Sequence, residues 1–157
     1  MAPAALVTAV WAASLGYAVA QGLMYGTRSA IFMDVTNPAV AAEPAWDTPE
    51  TRALAKRACF DCHSNETVWP WYAHVAPVSW LVQHDVDEGR EHLNFSEWDR
   101  EQEEAEEAAE VVEDGEMPLW VYLPTHPDAR LSDAEKADLI SGLKATFGSG
   151  GEDESDD

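Results

Sequence analysis

Cys59 and Cys62 are the only cysteines of this chain. They lie three residues apart, and His63 follows the second directly. On a helical turn, positions i, i+3 and i+4 share one face. Two thiols and an imidazole so placed can address one flat body resting against that face. Thioethers to the two vinyl groups of a single porphyrin, with the neighbouring imidazole on the iron, are the chemistry of a C-x-x-C-H string. Other chemistries use the same side chains. A thioredoxin-like redox pair wants a preceding strand and a βαβ context, and the sequence offers neither. A structural zinc site wants four ligands, usually from two such pairs, and no third cysteine exists. A disulfide across three residues closes almost no loop. One covalent haem c is expected, with Cys59 and Cys62 as thioether residues and His63 as proximal iron ligand. A haem-free dithiol or metal-binding domain is the alternative.

A second axial ligand has five candidates: Met117, His74, His84, His92 and His126. Met117 follows Gly115-Glu116 and precedes Pro118, a stiff turn off any helix face. Its thioether is a soft ligand that suits haem iron and raises the reduction potential, whereas the plain reading is a methionine filling a core gap. His126, before Pro127 in another constrained loop, is the second choice. A held distal ligand makes an electron carrier. An open or labile distal position makes a haem-based sensor or a peroxidase-like enzyme. Trp69, Trp71 and Tyr72 crowd the loop after the motif and are expected to wall the porphyrin, with Trp71, Tyr72 or Trp80 as donors to its propionates; the alternative is an ordinary aromatic cluster.

The elements that must position these groups read as helices. Thr48-Pro49-Glu50 is a helix start, with Thr as N-cap, Pro first and an acid against the dipole. The helix is predicted over residues 49–63. A second is predicted over 76–93, with Val78, Leu81, Val82 and Val86 at helical spacing and Gly89 as a weak point. Ser96-Glu97-Trp98-Asp99 resembles a capping box opening a third, acidic helix to about residue 116, with Phe95, Trp98, Ala105, Ala109 and Val112 as its apolar stripe. Ser132-Asp133-Ala134-Glu135 caps a last helix to about residue 147, with Leu139, Ile140 and Leu143 inward. No strand and no repeat is evident. The expected fold is all-α, a small cytochrome c-like domain with long loops over residues 48–147. An extended connector precedes it over 28–47, and a disordered acidic tail follows over 148–157.

The 157 residues include 30 acids against 9 bases, a formal net charge of −21. Direct nucleic-acid binding is excluded, because phosphate contact needs a basic surface. The acids either keep the surface solvated, in a salty habitat that screens self-repulsion, or steer a basic redox partner toward the protein. Residues 2–27 carry no charged side chain and are long enough to cross a bilayer as one helix. They are read as a transmembrane anchor or as a signal segment with an Ala18-Val19-Ala20 cleavage site. Arg28 after the apolar run weakly favours an inside carboxyl end. Covalent haem attachment takes place outside the cytoplasmic membrane in bacteria, which favours a haem domain on the periplasmic side of a single-pass anchor.

Several strings together resemble the haem-binding domain family of bacterial cytochrome c-like proteins. They are Asn37-Pro38, Trp46-Asp47-Thr48-Pro49-Glu50-Thr51 and Ala58-Cys59-Phe60-Asp61-Cys62-His63-Ser64-Asn65-Glu66-Thr67, followed by Trp69-Pro70-Trp71-Tyr72 and Ala76-Pro77-Val78-Ser79-Trp80-Leu81. Gly89-Arg90, Leu93-Asn94-Phe95-Ser96-Glu97-Trp98, Gly115-Glu116-Met117-Pro118 and His126-Pro127 continue the series. The resemblance implies a membrane-tethered domain with a single covalent haem on Cys59 and Cys62, His63 as proximal ligand, and Met117 in a Met-Pro pair that looks like a distal-ligand motif. The eleven acids of residues 97–116 and the acidic tail depart from the family by their weight. They bear on the choice of partner.

Overall fold

The computed structural model describes residues 35–148. The expected anchor, the first part of the connector and the tail beyond Gly148 lie outside the described residues. Within them no helix is long and apolar enough to cross a membrane. All the regular elements of this span are helical, as expected of an all-α fold: α1 Pro49–Ala58, α2 Phe60–His63, α3 Val78–His92, α4 Ala108–Glu113 and α5 Asp133–Phe147, with 3₁₀ turns at Trp71–His74 and Pro127–Ala129. No strand occurs among the described residues, only an isolated parallel bridge between Ala42 and Glu97.

The termini of α1 and α5 form as their cap residues dictate. Thr48 Oγ1 accepts from the Thr51 amide, 3.1 Å, and Ser132 with Glu135 closes a reciprocal capping box. The helix expected over 49–63 breaks at Cys59, where φ is −124° and ψ −35°. The Cys59 amide still donates to the Ala55 carbonyl, 2.8 Å, while its own carbonyl accepts from both Cys62 and His63, 3.1 and 2.9 Å. The motif therefore starts a fresh turn, and α2 leaves the axis of α1.

α5 packs along α4 and α1, and α2 packs on α3. Two glycines permit these crossings. A Cβ on Gly142 would stand 2.8 Å from the Thr51 Cβ, and one on Gly89 would stand 2.8 Å from the Cys62 carbonyl oxygen. Gly89, read from sequence as a weak point of its helix, is where α3 meets the motif. Phe60, Phe95, Leu139 and Leu143 make the buried centre. Trp46 closes it, with ring centroids 5.1 Å from Phe95 and 5.6 Å from Phe147. The connector thus runs over the surface and is hydrogen-bonded to the domain from Asn37 onward. The Ala41 amide donates to the Ser96 carbonyl, 2.8 Å, and the Trp98 amide to the Ala42 carbonyl, 3.0 Å.

Two expectations are corrected. The acidic helix expected over 97–116 shrinks to six residues. Like charges at i, i+4, such as Glu103 with Glu107 and Glu106 with Glu110, repel along a helix face. Helix survives only where Ala108, Ala109 and Val112 are buried. Its expected cap, Ser96, is fully buried and serves a tertiary contact instead, accepting from the Asn65 amide, 2.9 Å. In α3 the inward face is Ser79, Val86 and Gly89, while Val78 and Leu81 are exposed. The periodicity was right for a helix and misassigned its buried face, because Gly89 had to face α2.

Candidate functional site

Cys59, Cys62 and His63 line one cavity of about 340 Å³. The break at Cys59 and the short α2 bring all three to its wall. Both cysteines are free thiols. Burial pushes each thiol up to about 12, helped at Cys59 by the neighbouring Cys62 and at Cys62 by Asp61 and Asp85. Both therefore stay protonated near neutral pH, unlike the depressed thiolate of a reactive redox cysteine.

His63 is oriented by its surroundings. Its Nδ1 lies 3.1 Å from the Leu93 carbonyl oxygen. A carbonyl can only accept, so Nδ1 carries the proton and Nε2 keeps a free lone pair. The Leu93 amide in turn donates to the Gly89 carbonyl, 3.0 Å, and the Phe95 amide to the His63 carbonyl, 2.9 Å. Burial lowers the imidazole's affinity for a proton, against the opposing hydrogen bonds to Leu93 and Gly89. A neutral, Nδ1-protonated imidazole is the form that binds a metal through Nε2.

Met117 lines the same cavity, as do Val111, Val112, Leu119 and Tyr122. Gly115 ends α4 with φ +78°, a left-handed conformation that favours glycine. The chain then doubles back, and the Glu116 and Met117 amides both donate to the Val111 carbonyl, 3.0 Å each. This short loop sets the thioether against the wall formed by α4.

One direct bond joins the motif to the segment after Met117. Tyr122 Oη donates to Asp61 Oδ2 at 2.6 Å. Asp61 Oδ1 accepts from the Val68 amide, 2.9 Å, so the carboxylate ties two loops to α2. Burial and the Asp61 charge hold the Tyr122 phenol well above its ordinary range, which keeps it a donor. On the other side Arg90 donates to the Ser64 carbonyl, 2.8 Å, and to Thr67 Oγ1 and Asn37 Oδ1, 3.0 Å each, fixing the chain that leaves the motif.

The remaining candidates are placed elsewhere, with one exception. His92 lines the cavity, but its Nδ1 lies 2.7 Å from Glu104 Oε1, and that carboxylate raises its proton affinity. His126 is not part of the lining. It stacks on Tyr122 at 3.7 Å, and its Nδ1 lies 3.0 Å from the Tyr122 carbonyl oxygen. His84 stands beside Glu88, 3.4 Å, and His74 sits exposed in a 3₁₀ turn. Trp69, Trp71, Tyr72 and Trp80, expected to contact a porphyrin, all lie outside the lining. Trp69 Nε1 donates to Asn37 Oδ1, 3.0 Å, and Tyr72 Oη to Thr125 Oγ1, 3.1 Å. Trp71 and Trp80 are 78% and 50% exposed. The chain turns away after Ser64 along the far end of α3, so nearness in sequence to the motif does not become nearness to the cavity. The walls come instead from α3 and α4 and from Leu119 and Tyr122 of the apolar run 119–123, whose Trp120 and Val121 are exposed. That run was visible in the sequence but lay far from the motif.

A partly open, mostly apolar space with two protonated thiols, a neutral imidazole and a thioether on its walls suits haem. Comparison with known proteins agrees. Searches of curated proteins and of solved structures gave no match to this chain. The model of the haem-binding domain matches residues 24–145, most of the chain. The chain therefore belongs to the haem-binding domain family.

Proposed function

We propose that the protein is a single-haem c-type electron carrier tethered to the periplasmic side of the bacterial cytoplasmic membrane by residues 1–27. Cys59 and Cys62 would each add S–H across one vinyl group, sulfur to one carbon and hydrogen to the other. His63 Nε2 and Met117 Sδ would hold the iron. When bound, the haem supplies a metal that changes its charge by one electron. The residues of this chain do the rest. The Leu93 carbonyl holds the His63 ring and its proton. Leu119, Val111 and Val112 exclude water, and Tyr122 with Asp61 joins the two ligand-bearing segments. The observation that carries this proposal is that Met117 lines the same cavity as Cys59, Cys62 and His63.

Intact-mass measurement together with a reduced-minus-oxidised spectrum tests it. One haem mass added to the polypeptide and a low-spin, six-coordinate spectrum are expected. A polypeptide of amino-acid mass alone, made in a host with intact cytochrome maturation, would leave a dithiol domain instead. His92 on the cavity wall keeps the sensor or peroxidase-like alternative in play. Rapid carbon monoxide binding to the wild-type ferrous protein would favour that alternative, and refusal favours the carrier.

A further inference from the structure

Every exposed side chain from Val68 to Leu81, His74 apart, is apolar. The largest are Trp71, 78% exposed, Trp80, 50%, and Leu81, 54%. The buried side of α3 is Ser79, Val86 and Gly89, so Trp80 and Leu81 project away from the core. Neither tryptophan lines the cavity. Leaving side chains of this size in water forgoes the gain of burying them, and an exposed apolar patch of this kind marks a contact surface.

Charge separates the possible occupants. Residues 67–84 contain no acid and no Lys or Arg, in a chain of net charge −21. A basic partner protein is drawn to the acidic surface elsewhere, not to this face. An apolar medium costs this face no charge desolvation, whereas residues 97–116 would have to give up the hydration of eleven carboxylates. The course of the chain adds a second argument. Asn37 is held at the base of this same loop, donating from Nδ2 to the Thr67 carbonyl, 2.8 Å, and accepting from Trp69 Nε1, 3.0 Å. Only residues 28–36 separate this point from the uncharged apolar run of residues 2–27. Fully extended, that connection reaches roughly 30 Å.

We propose that this face, centred on Trp71 and Trp80, rests in the interfacial layer of the lipid bilayer. There an indole keeps its ring among apolar groups and its N–H in water. The proposal rests on the tether proposed above. The face fixes the orientation of the domain on the membrane and turns the acidic surface toward the aqueous partner.

The full-length holoprotein in vesicles of phosphatidylcholine carrying a photoactivatable diazirine near the head-group end of the acyl chain tests this. After illumination, adducts are mapped by peptide mass spectrometry. Adducts are expected in residues 2–27 and in residues 68–81, with none in 97–116. The surface substitutions Trp71→Glu and Trp80→Glu together should lower the adducts in 68–81 about tenfold and leave those in 2–27 unchanged. Adducts in 2–27 alone overturn the interfacial face and keep the tether. Adducts in neither overturn both, and adducts in 68–81 alone keep the face and remove the tether. Self-association that shields Trp71 and Trp80 without lipid adducts assigns the face to a second copy and overturns the proposal.

Discussion

Single atoms decide the behaviour of the cavity. Replacing Met117 by Ala removes the one thioether on its wall among the described residues. The variant is expected to lower the reduction potential and to bind carbon monoxide in the ferrous form, checked by redox titration and by the ferrous–CO spectrum. An unchanged potential and spectrum would give the distal role to another residue. Tyr122→Phe keeps the ring stacked on His126 and deletes only the 2.6 Å bond to Asp61. A hydrogen bond to a charged acceptor contributes about 1.5–3 kcal/mol. A loss at the lower end of that range, read by urea unfolding, is expected for this half-buried pair. Loss of stability without change in Trp fluorescence at low urea separates this from general misfolding.

At the level of elements, two close approaches carry the site. Gly89→Ala gives α3 a better helix former, worth about 1 kcal/mol in its favour. The new Cβ, however, would stand 2.8 Å from the Cys62 carbonyl oxygen, backbone that cannot swing aside, and overpacking costs about 1–3 kcal/mol. The variant should therefore be less stable and take up less haem, seen by urea unfolding and haem staining. A more stable variant would contradict the crossing. α1 and α5 are also tied electrostatically, Arg57 Nη1 to Glu135 Oε1 at 2.6 Å. Arg57 first, then Ser132, holds the Glu135 carboxyl down to about 2 from its ordinary 4.5. A depressed carboxyl contributes stability above its unfolded value and loses it as the proton binds in the fold. The contribution is thus fully present above pH 4.5 and disappears as pH falls toward 2. Glu135→Gln should flatten the decline of melting temperature over that window. Equal declines in both proteins would remove the ion pair from the account of acid stability.

For the whole molecule, charge dominates. Thirty acids against nine bases repel one another, and salt screens them over about 8 Å at physiological ionic strength. The acids reach the functional site, since Asp85, Glu88, Glu104 and Glu107 all border the cavity. Small redox reagents therefore report the local field. At low salt a cationic ruthenium–ammine complex should exchange electrons with the holoprotein at least about tenfold faster than ferricyanide, once rates are corrected for driving force. The advantage should shrink on adding sodium chloride. Equal rates at low salt would show that the acids do not steer a partner to this cavity.

The sequence by itself determined the haem-binding family and the helical class of fold. The two thiols and the imidazole are neighbours in the chain, so one local turn suffices to present them together. The caps at Thr48 and Ser132 act within three residues and were legible for the same reason. What only the tertiary structure decided depends on contacts between distant segments. The acidic stretch had helical spacing, yet only Ala108–Glu113 is helical although the core also buries Ala105. Trp71 and Trp80 follow the motif in sequence but are exposed, Trp71 on a separate 3₁₀ turn and Trp80 because α3 turns Ser79, Val86 and Gly89 inward. Tyr122 stands 61 residues from Asp61, and no local pattern announces such a pair. A short-range motif fixes which atoms can react, whereas close packing among remote segments fixes which other side chains stand beside them.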